Sequence, residues 1–181
     1  RLCDILRDQA TGQALIFVRT KRRADALAKF LSVRGFAVDA LHGDMRQTLR
    51  QKVLRNFRGG DLQALIATDV AARGIDVAGL SHVVNFDLTD TPEAYVHRIG
   101  RTGRAGRTGE AVLFVTPRER RFISNLERAT GQPIDAMEIP GNAAINQGRL
   151  DRLRQRLAGL DRHVDRPTPA AWHRCRSRCA T

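Results

Sequence analysis

The chain has 181 residues, 42% of them hydrophobic, enough to bury one core of ordinary domain size with a remainder left over. Lys and Arg number 31 against 19 Asp and Glu, a formal net charge of +12 that points to a polyanionic partner. Nucleic acid stands ahead of an anionic membrane, because the charge is not confined to one amphipathic helix and the longest apolar runs, 14–18 and 111–115, fall far short of the roughly 20 residues a membrane span requires.

The chain opens Arg1-Leu2-Cys3-Asp4 with no initiator Met and no secretory h-region, which reads as an excised segment. Cys3, Cys175 and Cys179 are odd in number and widely separated, so no disulfide framework is expected and a reducing cytoplasm is favoured. Short apolar runs alternate with amphipathic stretches throughout. That alternation predicts an α/β domain with a parallel sheet between layers of helices. In such sheets ligands bind at the carboxyl ends of the strands, so the residues after each strand carry the functional reading.

The first predicted strand, 14–18, runs into Arg19-Thr20-Lys21-Arg22-Arg23. Thr20 is a natural N-cap for a helix over 21–34, with Ala24, Leu27, Ala28 and Leu31 on one face and Gly35 as its stop. A first helical turn prefers acidic residues, yet this one holds three cations. Either an external anion such as phosphate sits there, or the turn is a solvated basic face.

A second strand, 37–41, ends in His42-Gly43-Asp44-Met45-Arg46-Gln47, where Gly43 would let a ligand backbone approach closely. It leads to a helix over 47–58 with Arg50 in its first turn, apolar Val53, Leu54 and Phe57, and Gly59-Gly60 at its end. The third strand, 64–67, is followed by Thr68-Asp69-Val70-Ala71-Ala72-Arg73-Gly74-Ile75-Asp76. Asp69 reads there as an N-cap and Gly74 as a turn, which leaves Arg73 and Asp76 without a structural reason.

A strand over 82–85 and a helix over 92–99 precede His97-Arg98-Ile99-Gly100-Arg101-Thr102-Gly103-Arg104-Ala105-Gly106-Arg107. Arginines fall at every third position between glycines, so several guanidinium groups project from one compact turn. Crowded like charges repel unless something anionic lies among them, and Arg suits multidentate phosphate recognition. A strand over 111–115 and a helix over 117–129 complete the domain, placed at 1–140. Residues 141–160 read as a basic amphipathic helix or linker and 161–181 as a disordered tail.

With these residues assembled, the chain resembles the second, C-terminal RecA-like domain of DEAD-box ATP-dependent RNA helicases over roughly residues 1–140. Residues 14–22 look like helicase motif IV, Gln47-Thr48-Leu49-Arg50 like the QxxR element, 67–77 like motif V, and HRIGRTGR at 97–104 like motif VI. Residues 115–140 further resemble bacterial cold-shock or ribosome-assembly members. The resemblance implies that Arg101 and Arg104 are arginine fingers for ATP and that His97 couples nucleotide to RNA. By the same resemblance Asp76 accepts a hydrogen bond from the ATP ribose. Thr20, Arg22, Gly43, Arg50, Thr68, Arg73 and Gly74 would hold RNA backbone, with Gln47 positioning its neighbours.

No G-x-x-x-x-G-K-[ST] and no Asp-Glu-Ala-Asp run occurs, so ATP and Mg2+ would be held mainly by an N-terminal RecA-like domain and this segment alone would be inactive. RNA contacts to the backbone imply sequence-independent, salt-dependent binding. Two other readings remain at this point: a stand-alone RNA-binding module using residues 146–166, and the equivalent domain of a DNA-directed superfamily 2 helicase. His163, His173, Cys175 and Cys179 match no familiar zinc spacing, and no metal site is expected. The composition of the tail would also suit a truncated or frame-shifted end.

Overall fold

The computed structural model of the chain describes residues 2–10, 12–72, 75, 80–103, 106, 108–137 and 154. Five strands form one parallel sheet: β1 (Gln13–Phe17), β2 (Val38–Leu41), β3 (Ala64–Ala67), β4 (Leu80–Asn85) and β5 (Glu110–Leu113), in the order β2-β3-β1-β4-β5. β1 and β3 are apolar at nearly every position because both their faces are covered. Leu15 pairs in register with Leu65 on one side and Val83 on the other.

Side chains alternate across the sheet and so feed two cores. Leu15, Phe17, Leu65 and Val83 pack with Val53 and Phe57 of α3 (Gln47–Gly59) and Ala71 and Ala72 of α4 (Asp69–Ala72). Ala14, Ile16, Val18 and Ile66 pack on the opposite face. Their partners are Leu2 of α1 (Leu2–Asp4), Leu6 of the π-helical turn Ile5–Gln9, and Ala24, Leu27 and Leu31 of α2 (Lys21–Ser32). A third cluster, Leu88, Tyr95 and Leu126, joins α5 (Pro92–Ile99) to α6 (Ile123–Thr130). Burial raises the pKa of Tyr95 in that cluster.

The parallel sheet between helical layers is the architecture the sequence pattern predicts, and every predicted strand is present. Only β3 keeps its predicted bounds. β1 is shifted one residue back to Gln13–Phe17, β2 starts at Val38, β4 starts two residues early at Leu80, and β5 runs Glu110–Leu113, although Phe114 still donates its N–H to the Asn85 carbonyl at 2.9 Å. The helix predicted over 117–129 is interrupted. Glu119 accepts from both the backbone N–H and the hydroxyl of Thr116, at 2.8 and 2.7 Å, closing a turn, and a 3-10 segment (Arg120–Phe122) follows before α6. That capping also holds the Glu119 carboxyl below its ordinary pKa.

Helix ends follow the expected chemistry. Thr20 accepts from the Arg23 N–H at 3.3 Å, and Gly60 closes α3 in the left-handed region at φ 86°. Gly35 also has positive φ, just past the end of α2. The chain divides into two compact units, Arg1–Asp135 and Ala136–Thr181. The basic helix or linker read at 141–160, Arg154 apart, the tail at 161–181 and the residues His163, His173, Cys175 and Cys179 lie outside the described residues. Among the described residues no helix is long and apolar enough to cross a membrane.

Candidate nucleotide and nucleic-acid interface

Because all strands are parallel, their carboxyl ends share one edge of the sheet, and the topology sets the loops after β2, β3, β1 and β4 side by side. Thr20 caps α2 there, Gly43 lies in the turn after β2, and Thr68 directly follows β3, its N–H bonded to the Leu41 carbonyl at 3.2 Å. A Cβ at Gly43 would meet nothing within 4 Å, so internal packing does not require glycine at that position.

The three cations opening α2 do not all await an outside anion. Lys21 pairs with Asp44, which lowers the Asp44 pKa, and Arg23 Nε lies 3.2 Å from Asp87 Oδ1. Only Arg22 has no ion pair among the described residues. The conflict with the helix dipole is therefore met mostly by carboxylates from neighbouring strand ends. Arg50 donates to the Ala71 carbonyl at 2.7 Å, tying α3 to the end of α4. Gln47 is exposed and makes no hydrogen bond through its side chain among the described residues.

Asp69 is not an N-cap. It opens α4 and gives both carboxylate oxygens to Arg98, at 2.6 Å from Nε and 2.7 Å from Nη2. Arg98 is 3% exposed, and its Nη1 also donates to Asn85 Oδ1 at 3.1 Å and the Asp87 carbonyl at 2.8 Å, while its guanidinium lies 4.9 Å from the Phe17 ring centroid. A buried cation is tolerated only when its donors are matched in this way. Arg98 is thus the structural member of the arginine row. Its three-residue spacing from buried Tyr95 is the signal that would have placed it on the inner face of α5.

Beyond Arg98 a cleft of about 340 Å³ opens at the same edge, lined by Phe17, Asp69, Ala72, His97 and Arg101 among others. His97 is exposed, and Arg101 keeps one long contact, 3.4 Å, to the Ile75 carbonyl. The other Arg101 donors make no bond among the described residues. The turn bearing Arg101 is pinned by Thr102, whose hydroxyl donates to the Leu80 carbonyl at 2.6 Å. Gly109, which no sequence pattern marks, makes room for it: a Cβ there would sit 2.1 Å from Thr102 Oγ1 and 2.6 Å from the Gly103 nitrogen. Arg73, Gly74, Asp76 and Arg104 lie outside the described residues.

The helicase conserved C-terminal domain family matches residues 1–106. A DEAD-box ATP-dependent RNA helicase CshA of Bacillus cereus is 53% identical over 157 residues, covering 87% of this chain. The chain spans only 29% of that relative's length. Among solved structures, E. coli DEAD-box protein SrmB bound to regulator of ribonuclease activity A superposes with TM-score 0.72 at 38% identity, covering 76% of this chain and 81% of that one. S. cerevisiae Dbp5 bound to RNA and ADP BeF3 superposes with TM-score 0.68 at 34% identity, covering 86% of this chain and 40% of that one. The family match, the half-identical relative and the shared parallel architecture agree, and this chain belongs to the helicase conserved C-terminal domain family, in its DEAD-box branch.

Proposed function

We propose that this chain is the C-terminal RecA-like half of a cytoplasmic ATP-dependent RNA helicase, one of the cold-shock or ribosome-assembly type. It grips RNA backbone along the strand ends and supplies Arg101 and Arg104 to ATP held by an N-terminal RecA-like domain, so that closure of the two domains drives local unwinding. The observation that carries this reading is the cleft after α5. Arg101 lines it with guanidinium donors that, apart from one 3.4 Å contact to the Ile75 carbonyl, have no partner among the described residues, on a turn fixed by Thr102.

Such a donor set suits the charge that builds on a transferring phosphoryl group, where an arginine finger is worth roughly 10³ to 10⁵ in rate. Mg2+ is less suited to this side. Among the described residues the one carboxylate lining the cleft, Asp69, already serves Arg98 through both oxygens, so the metal and most of the ATP contacts would fall to the other domain. His97, exposed on the cleft wall, would contact that domain on closure, and Asp76 would take the ribose. Thr20, Arg22, Gly43, Arg50 and Thr68 share the strand-end edge and offer a hydroxyl row and cations to successive phosphates, with Gln47, Arg73 and Gly74 completing the grip.

The test is RNA-stimulated ATPase activity when this chain is mixed with a separately expressed N-terminal RecA-like domain. Activity should appear only on mixing and fall at least about a thousandfold in Arg101→Ala and Arg104→Ala. Activity indifferent to both arginines would leave RNA binding without an ATPase role.

A further inference from the structure

We propose that a second cavity, formed at the ends of β1 and β4 and the turn after β5, takes one nucleobase of the gripped RNA strand, and that Glu119 accepts from that base's N–H edge. The inference rests on the RNA reading above and adds a base-contacting subsite to a grip otherwise made to backbone. The cavity encloses about 490 Å³, more than the cleft beside Arg101, and opens at the same edge of the sheet.

Its walls suit a flat heterocycle. Phe86 and Phe114, half-buried, lie with ring centroids 5.7 Å apart at 55°, and the Arg23 guanidinium stands 5.2 Å from the Phe86 centroid. Such surfaces stack bases of any identity, for roughly 1–3 kcal/mol per base. The rim does not suit a phosphate. Arg23 is held by Asp87 Oδ1 at 3.2 Å, while Arg19 gives its backbone N–H to Asp87 Oδ2 at 2.9 Å and its Nη2 to Asp90 at 3.1 Å and the Leu88 carbonyl at 3.2 Å. The lining sets two carboxylates, Asp87 and Glu119, against two guanidinium groups, and Arg19 has a further partner in Asp90, so no net positive charge is left for a phosphate and the occupant is a neutral ring.

One acceptor remains unspent. Glu119 receives both Thr116 bonds through Oε2, and its Oε1 makes no hydrogen bond among the described residues. The same Thr116 bonds lower the carboxyl's pKa and so favour its ionised, accepting form. Guanine offers two adjacent N–H donors that can share the one free oxygen with no acceptor facing it, whereas uracil, adenine and cytosine each set a carbonyl oxygen or a ring-nitrogen lone pair beside their Watson–Crick donor, so the site favours guanine. Thr20 lines this cavity as well as capping α2. A phosphate held at that helix end would bring its own or the neighbouring base to the cavity mouth.

The experiment walks a single guanine through an oligouridine decamer and measures binding by the full 181-residue chain, together with the N-terminal domain and a non-hydrolysable ATP analogue. One position should raise affinity by about fivefold or more, inosine there should forfeit part of the gain, and Glu119→Gln should abolish the preference while leaving oligouridine affinity within about twofold. As a second readout, 2-aminopurine at that position should be quenched by stacking, and Phe86→Leu should relieve the quenching. A flat profile, or a preference that survives Glu119→Gln, overturns the subsite and leaves the backbone grip standing. Failure of the wild-type mixture to bind oligouridine overturns the RNA reading and the subsite with it.

Discussion

Arg98 and Asp69 show how one pair can serve structure beside a reactive cleft. The two partners are unequal: Arg98 is 3% exposed, whereas the Asp69 side chain is 47% exposed. Removing the carboxylate strands a buried cation, so Asp69→Ala should cost about 3 kcal/mol in urea denaturation, at the lower end for breaking a buried pair because Asn85, the Asp87 carbonyl and Phe17 still face the guanidinium. The double variant Arg98→Met with Asp69→Ala should cost less than the sum of the single changes, the coupling being read from a double-mutant cycle. At Glu119 the pKa is lowered by the Thr116 N–H first and its hydroxyl second. The resulting stability is present above the unfolded-state carboxylate pKa and is lost as pH falls through the lower folded value. Glu119→Gln should therefore cost below about 1 kcal/mol at neutral pH and nothing in strong acid, as pH-dependent thermal melts would reveal.

The helices separate capping from function. Thr91 and Thr20 cap α5 and α2 through the same bond, each accepting at 3.3 Å from the N–H three residues on. Thr91→Ala and Thr20→Ala should each cost about 1 kcal/mol in denaturation, but only Thr20→Ala should also weaken RNA binding. Gly60 closes α3 at φ 86° with open space where a Cβ would point, so the roughly 1 kcal/mol cost expected for Gly60→Ala is backbone strain alone. The Thr91 cap was read only from the structure, whereas the Thr20 and Gly60 caps were legible in the sequence because they are local. The segment after β5 was not: residues 117–129 carry a helical pattern, but the Thr116–Glu119 turn captures the first of them.

At the scale of the whole domain, the +12 formal charge of the chain overstates what the strand-end edge offers to phosphates. Lys21, Arg23, Arg19 and Arg98 are each neutralised by a carboxylate brought from another strand end. Arg22 is not, so Arg22→Ala should leave the melting temperature unchanged and reduce the slope of log affinity against log salt by about 0.7, one single-stranded phosphate contact. Arg23→Ala should instead lower stability through the lost Asp87 pair and the exposed Phe86 ring, with a smaller change in salt slope.

The sequence by itself determined the five strands, the helices at 21–34, 47–58 and 92–99 to within a few residues, the Thr20 and Gly60 caps and the sheet edge that carries the candidate residues, because apolar period, capping threonine and C-terminal glycine act over a few residues. It also marked Arg101 and His97, since they lie in a run whose glycines and cations have no packing explanation. Tertiary structure decided which cations are spent. The order β2-β3-β1-β4-β5 brings Asp44 to Lys21, Asp87 to Arg23 and Asp69 to Arg98, pairs 23, 64 and 29 residues apart in the chain. No periodicity encodes those distances. The same holds for Gly109 beneath Thr102 and for the cavity at Phe86 and Phe114, which exist only once separate strand ends are packed at one edge.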